Sequence, residues 1–208
     1  IVEKFGNVKF AEQNSLNINK YVNNTGDRAR YNNNYYSDKA PGSSVLFTPV
    51  YSSWNYLYDS SFKESPEEDK VFIVWDRYNT TIKSYIEPGS KITGARILSI
   101  AFLPAFFGSM LVVLIYKISK FFADEKLSLL LSLLVGTGTV LFTYSTVFMG
   151  VITASFLSFL SFYLILSVKK KNLSSKYYFL AGLLSGLSIF TEYYLGIVSI
   201  VLFLYLLK

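Results

Sequence analysis

The sequence predicts a mainly α protein, a polytopic α-helical membrane protein with a partly folded external loop region before its first span. Charge distribution is the first reason. Residues 97–208 carry 11 charged side chains in 112 positions, whereas residues 1–96 carry 23 in 96. Span length is the second, because the apolar part contains uncharged runs that cross a hydrocarbon core of roughly 30 Å as helices rising about 1.5 Å per residue. We therefore expect an external region, 1–96, with juxtamembrane helices, and a transmembrane region, 97–208.

About five spans are predicted in the transmembrane region. Its first apolar run extends from 97 to 116 without a charge. The next uncharged run, 127–168, is too long for one helix, and its polar stretch at 143–146 is expected to form a turn. A single charge, Glu192, divides the last apolar stretch into two short spans. The predicted spans are 97–116, 127–144, 149–168, 176–191 and 194–207.

Lysine placement predicts the orientation. Lysines concentrate in two loops between spans, at positions 117, 120 and 126 and at positions 169–171 and 176, whereas the turns at 143–150 and 191–194 have none. Short cytoplasmic loops collect Lys and Arg. We therefore expect a multi-pass protein of the cell membrane with residues 1–96 extracytoplasmic. The net charge of +6 is then mostly a topology signal, and nucleic acid is not expected as a partner.

Cysteine and histidine are both missing from this chain. Their absence excludes disulfides, thiolate metal sites and imidazole bases. Catalysis must therefore use carboxylates, amines and hydroxyls. No metal site and no cofactor is predicted from the residues, and a divalent metal stays an open alternative.

The external region is rich in aromatic residues, since it holds both tryptophans and 9 of the 17 tyrosines. Disordered tethers are poor in aromatic residues, so this region is expected to fold against the membrane surface. Residues 43–58 mix apolar, aromatic and small polar side chains, which predicts an interfacial helix with Pro49 as a kink or first-turn residue.

An acid and a base stand side by side in residues 35–42. Asp38 and Lys39 lie between aromatic side chains, including Tyr36, and the turn formers Pro41-Gly42. An arbitrary Asp–Lys pair is usually a weak surface pair. At the mouth of a membrane protein, however, Lys39 can bind a phosphate while Asp38 anchors the loop.

Three further features of the sequence have both a functional and a purely structural interpretation. Glu192 lies between apolar arms, so a functional role and a solvated turn are about equally expected. Gly182 and Gly186 have the spacing that favours close helix packing rather than chemistry. Asp27 lies in a polar cluster with two arginines, which alone indicates nothing.

Three stretches carry a resemblance to a known family. The first combines Thr25-Gly26-Asp27-Arg28-Ala29-Arg30-Tyr31, the segment 35–42 and Pro49-Val50-Tyr51; the others are Tyr144-Ser145-Thr146 and the segment 181–186 leading to Thr191-Glu192-Tyr193. In order and spacing they resemble the first external loop and following helices of prokaryotic GT-C glycosyltransferases. That group includes protein O-mannosyltransferases and the lipid A aminoarabinose transferase. The resemblance covers most of the chain and is weakest at 52–90.

The resemblance implies an enzyme that moves a sugar from a polyprenyl-phosphate carrier to a lipid, glycan or protein acceptor at the outer face of the membrane. It implies that Lys39 contacts the carrier phosphate, because Lys39 matches the lysine of a Lys-x-Pro motif. Tyr36 and Glu192 are the other predicted substrate-binding residues, and Asp27 and Asp38 are the candidate catalytic carboxylates. In the family the main catalytic acid follows a first membrane helix. We therefore expect a fragment truncated at both ends and inactive by itself.

A non-enzymatic function is the alternative. In that interpretation the chain is a membrane glycan-binding or polysaccharide-assembly or export subunit, whose external loop binds sugars through Tyr and Trp. Upstream sequence discriminates the two hypotheses, because an apolar span ending in Asp or Asp-Glu favours the enzyme. A transporter is disfavoured, since the clearest spans carry no ionisable residue.

Overall fold

The computed structural model describes residues 17–19, 28–61, 91–171 and 173–207. The chain divides into two compact units, Ile1–Ser99 and Ile100–Lys208. Helices dominate the described residues of both units. The predicted mainly α class is therefore confirmed.

The first unit contains a β-hairpin that the sequence analysis did not predict. Strands β1 (Arg28–Tyr31) and β2 (Asn34–Ser37) pair antiparallel. The turn residues Asn32 and Asn33 have φ values of 45° and 60°. Two successive left-handed residues form the turn whose twist matches that of a two-stranded ribbon, and asparagine tolerates this conformation better than most residues.

Helix α1 (Gly42–Ser61) follows the hairpin and includes the predicted segment 43–58. Phe47, Tyr51 and Tyr58 are buried on one face, at the spacing of a helical stripe. Pro49 lies inside the helix rather than in its first turn. The Pro49 carbonyl accepts a hydrogen bond from the Ser53 hydroxyl, one helical turn later, at 2.9 Å.

Helix α2 (Lys91–Ile100) packs on α1 at Gly94. A Cβ atom at Gly94 would collide with the indole ring of Trp54, so only glycine permits this approach. A π-helical turn, Ala101–Ala105, then leads into α3 (Phe106–Ser119), and the Phe106 N–H donates to the Ala101 carbonyl. The Pro104 ring within this turn has no N–H to donate, which accounts for the local departure from α-helical bonding.

The second unit continues with five helices in the described residues: α4 (Glu125–Gly138), α5 (Val140–Ser145), α6 (Gly150–Lys171), α7 (Lys176–Thr191) and α8 (Leu195–Leu207). Two helical segments, Ile97–Ser119 and Gly150–Lys171, are long and apolar enough to cross a membrane. The segment predicted as one span at 127–144 consists of two helices, because Thr139 has an extended backbone. Its hydroxyl caps α5 by accepting from the Leu141 N–H at 3.2 Å.

Small residues permit the close helix contacts of this unit. A Cβ atom at Gly108 of α3 would collide with the Ser145 hydroxyl of α5, and one at Gly136 of α4 would lie 2.8 Å from a Val112 methyl. Helix α6 packs against both α3 and α7. The Ser161 hydroxyl of α6 donates to the Ala181 carbonyl of α7 at 2.8 Å.

The packing expected at Gly182 and Gly186 is wrong for the part of the chain described here. Apart from chain neighbours and the backbone of α7 itself, no described atom lies within 4 Å of the position of a Cβ at either glycine. The packed face of α7 instead carries Ala181 and Ser188, which are 1% and 0% exposed. One residue corresponds to about 100° around a helix, so an interface centred on Ala181 turns Gly182 away from it.

Hydroxyl groups in the apolar helices are largely satisfied within their own helix. Donors to the carbonyl four residues earlier are Ser109, Thr137, Thr139, Ser145, Thr191 and Ser199. Bonds from Ser161 to Ala181 and from Ser185 to Ser199, the second at 2.6 Å, join different helices. The buried hydroxyls of Ser128, Thr153 and Ser167 have no hydrogen-bond partner among the described residues.

Candidate functional site

The predicted acid–base pair lies in the short connection between β2 and α1. The ammonium of Lys39 is 3.9 Å from a carboxylate oxygen of Asp38, and both side chains are about half exposed, at 50% and 46%. The Lys39 backbone N–H donates to the Ser37 hydroxyl at 3.2 Å, which holds the turn. An exposed pair of this kind contributes at most about 1 kcal/mol to stability, so Lys39 can exchange Asp38 for another anion at small cost.

Buried neighbours fix the position of Lys39. Ala40 and Ser43 are 6% and 1% exposed, so the chain is anchored directly after the lysine. The Pro41 carbonyl accepts the first helical bond, from the Val45 N–H at 3.0 Å. The amides of the first turn of α1 therefore begin within a few residues of the ammonium, and both groups favour an anion.

Tyr36 lies on β2, opposite Ala29 and half-buried. A network of asparagines supports this strand. The Asn34 side-chain oxygen accepts from the amides of Asn17 and Asn19 at 2.9 and 2.8 Å, and the Tyr35 N–H donates to the Asn19 side chain at 2.6 Å. The hairpin thus presents Tyr36, Asp38 and Lys39 within one short segment. The remaining candidate of this region, Asp27, lies outside the described residues.

Glu192 lies in the second unit, at the C-terminal end of α7. Its N–H donates to the Ser188 carbonyl at 2.9 Å, and its own carbonyl accepts from the Leu195 N–H at 3.1 Å. The side chain is half-buried. Glu192 therefore occupies the tight turn between α7 and α8, as predicted from its position between apolar arms.

Two tyrosines accompany Glu192. Tyr194 lies in the same turn, and its pKa is raised by burial and then by the nearby Glu192 and Tyr144. Tyr144 belongs to α5, so the structure brings the turn after α7 and the end of α5 to the same end of this unit. Tyr144 and Tyr194 were not predicted as site residues. The signal that would have identified them is the aromatic residue in each of the two lysine-free turns.

Within the described ranges, no three acidic side chains form a group that could hold a metal ion. The two candidate regions offer single carboxylates, an ammonium and phenols. Asp38 with Lys39 provides charge for an anion, whereas Glu192 with its two tyrosines provides hydrogen bonds and ring faces for a neutral, hydroxyl-rich molecule.

Comparison with protein families gives one finding. A family model described as dolichyl-phosphate-mannose-protein mannosyltransferase matches residues 84–208. The matched part contains Tyr144, Glu192 and Tyr194 and does not contain the segment of Asp38 and Lys39. Comparisons with curated proteins and with solved structures give no match.

Proposed function

Since the chain belongs to the dolichyl-phosphate-mannose-protein mannosyltransferase family of GT-C glycosyltransferases, we propose that it transfers a sugar from a polyprenyl-phosphate carrier to an acceptor at the outer face of the membrane. The observation that carries this proposal is the family match over residues 84–208, which is more than half of the chain. The apolar helices of the second unit support it, because a polyprenyl chain is itself soluble only in a membrane.

The proposed reaction is a single displacement at the anomeric carbon of the sugar. An acceptor hydroxyl oxygen forms the new bond to that carbon, and the bond between the carbon and the carrier phosphate oxygen breaks. The phosphate leaves with the electron pair, and a carboxylate takes the hydroxyl proton. Asp27 and Asp38 are our candidates for this carboxylate.

Lys39 is proposed to bind the carrier phosphate. Negative charge increases on that phosphate as the bond breaks, and a fixed cation stabilises the increase more than it stabilises the starting state. The position of Lys39 before the first turn of α1 supports this role, because backbone amides and the ammonium favour the same anion. Binding would replace the exposed contact with Asp38, which is 3.9 Å long.

Tyr36 and Glu192 are proposed to bind sugar or acceptor groups. The Glu192 carboxylate accepts hydrogen bonds from hydroxyls, and the neighbouring Tyr144 and Tyr194 offer phenol groups and ring faces. Tyr36 offers a ring on the supported hairpin strand. Tyr36 belongs to the first unit and Glu192 to the second, so the two binding roles are independent proposals.

The test is transfer by the full-length protein in proteoliposomes. Radiolabelled mannose is supplied either on polyprenyl phosphate or on a nucleotide, with extracted cell-envelope material as acceptor. We expect label in the acceptor only with the lipid-linked donor. Transfer from the nucleotide sugar without the carrier, or binding of glycans without transfer, would contradict the proposal, and the second result would favour a glycan-binding subunit.

A further inference from the structure

A cavity of about 340 Å³ opens in the second unit at the end opposite to Glu192. Its lining consists of Lys117, Lys120, Phe121, Tyr163 and Lys171. The volume is at the lower end of the range of about 300–1,000 Å³ typical of small-molecule sites. We propose that this cavity binds the phosphate headgroup of an anionic phospholipid from the adjacent membrane leaflet, a role separate from the proposed transferase chemistry.

Charge is the first support for this inference. The lining contains three lysines and no carboxylate. Lys120 pairs with Glu125 at 3.5 Å, and Glu125 first and Tyr116 second raise the pKa of Lys120. Lys117 and Lys171 make no ion pair with any described residue. An anion in the cavity therefore meets two ammonium groups whose charge is not already matched by a carboxylate.

Aromatic rings shape the cavity and hold its lysines. Lys171 lies over the Phe121 ring at 5.0 Å, and the rings of Phe121 and Tyr163 are 6.0 Å apart. Lys170 binds the Phe121 carbonyl at 3.5 Å and lies 4.4 Å above the Phe122 ring. These contacts connect the loop after α3 to the end of α6, so the charged lining is a fixed feature of the fold.

The position of the cavity favours a lipid over a soluble phosphate. Lys117 and Lys171 lie at the ends of the two helical segments that are long and apolar enough to cross a membrane, Ile97–Ser119 and Gly150–Lys171. Hydrocarbon gives way to headgroups at that level. Phe122, which follows the lining residue Phe121 in the chain, is 67% exposed and gives the acyl chains of a lipid an apolar surface beside its phosphate.

A buried hydroxyl adds a polar group on the same helix face. Ser167 lies one turn from both Tyr163 and Lys171 on α6, is 2% exposed, and has no hydrogen-bond partner among the described residues. Buried hydroxyls without a partner are costly. Ser167 does not itself line the cavity, so it supports the inference only as an unpartnered polar group between two lining residues of α6.

The experiment compares two charge-matched double variants of the full-length protein in detergent. Lys117→Gln/Lys171→Gln removes the two cavity lysines without ion pairs. Lys126→Gln/Lys176→Gln removes the same net charge from the same end of the unit, outside the cavity lining. Binding of phosphatidylglycerol and of phosphatidylcholine is measured by native mass spectrometry, with glycerol 3-phosphate as a soluble competitor.

We expect the cavity variant to lose about tenfold or more in phosphatidylglycerol affinity, because each lysine near an anionic headgroup contributes about 1 kcal/mol. The control variant should retain its affinity, Lys117→Arg/Lys171→Arg should bind nearly as well as the unaltered protein, and phosphatidylcholine should bind weakly throughout. Equal losses in the cavity and control variants would overturn the inference in favour of unspecific charge attraction. Displacement of the lipid by millimolar glycerol 3-phosphate would overturn it in favour of a soluble phosphate.

Should the cavity variant not fold, the unaltered protein decides the question. A preference of less than about twofold for phosphatidylglycerol over phosphatidylcholine would then contradict the inference, because it corresponds to much less than the contribution of one lysine.

Discussion

Lys39 shows how a weak contact can be suited to function. Its pairing with the half-exposed Asp38 at 3.9 Å adds little to stability. What the structure adds to the sequence is the fixed backbone on both sides, with the asparagine-supported strand before the lysine and the buried Ala40 and Ser43 after it. A side chain on such a support can change its ionic partner without a change in the fold.

Lys39→Ala in the full-length protein is therefore expected to lower transfer from the lipid-linked sugar about tenfold or more, equal to roughly 1.4 kcal/mol of lost transition-state stabilisation. Lys39→Arg should retain part of the activity, because charge remains while the compact ammonium is lost. The measurement is the initial rate of transfer in proteoliposomes. Lys126→Ala is the control, since it removes one positive charge from an exposed position in the first turn of α4.

Near-normal transfer by a folded Lys39→Ala protein would contradict the proposal that Lys39 binds the carrier phosphate. Asp38→Asn separates the two roles considered for the carboxylate. A small effect indicates that Asp38 only holds the turn, whereas a loss comparable to that of Lys39→Ala indicates contact with the reacting groups.

Helices in the second unit approach each other at glycines that do not follow the pattern chosen from the sequence. The spacing of Gly182 and Gly186 is a known packing pattern, but a pattern along one helix does not fix which face meets a neighbour. That face is decided by the partner helix. Here the Ser161 hydroxyl reaches the Ala181 carbonyl, and the tight contacts of α3 and α4 occur at Gly108 and Gly136.

The same substitution at two glycines tests this packing. Gly108→Val should lower Tm by about 3 °C or more, since an added side chain in a filled contact costs about 1–3 kcal/mol. Gly182→Val should lower Tm much less than Gly108→Val does, because its side chain enters open space among the described residues. Both glycines lie in helix interiors, so the change in helix propensity cancels in the comparison. Equal shifts in Tm for the two variants would show that a side chain at Gly108 costs no more stability than one at Gly182, which would contradict the tight contact at Gly108.

The hairpin shows why some elements escaped the sequence analysis. Asn32 and Asn33 between two short aromatic segments are a recognisable turn signal. The asparagine-rich composition of this region concealed it, because the same residues also occur in loops. Helix α1 was easier to predict, since the buried Phe47, Tyr51 and Tyr58 repeat at helical spacing.

At the scale of the molecule, polar groups gather at two ends of the second unit. The lysines at the end of α3 and of α6 meet, because Lys170 contacts the Phe121 carbonyl. At the other end Glu192 and Tyr144 both raise the pKa of Tyr194, after its burial. This arrangement is what the lysine rule predicts for a bundle whose successive helices alternate in direction.

Cysteine labelling in intact cells tests the predicted orientation, and residues 1–208 contain no cysteine that would interfere. Cysteines placed at Lys126 or Lys170 should react with a membrane-impermeant maleimide only after permeabilisation. A cysteine at Tyr193, which is 61% exposed in the turn after α7, should react in intact cells. The opposite pattern would invert the topology and place Glu192 inside the cell.

Sequence alone was sufficient for the helical class and for the positions of most helices, because long apolar runs leave few alternatives. It was insufficient at Thr139, where one polar residue caps a new helix and divides a predicted span. It also did not reveal that Tyr144 and Tyr194 lie near each other, because this proximity depends on how α5 and α7 are placed by their partners. Contacts between distant segments are set by tertiary packing, which no local pattern records.

The hydroxyl bonds within and between helices have a consequence for biogenesis. In α3 the Ser109 hydroxyl donates to the carbonyl four residues earlier, so this group needs no partner helix when α3 leaves the translocon for lipid. Helices α6, α7 and α8 are different, because Ser161 binds a carbonyl of α7 and Ser185 binds Ser199 of α8. We expect these three helices to be released together, so that synthesis must reach the end of α8 before α6 settles in the membrane.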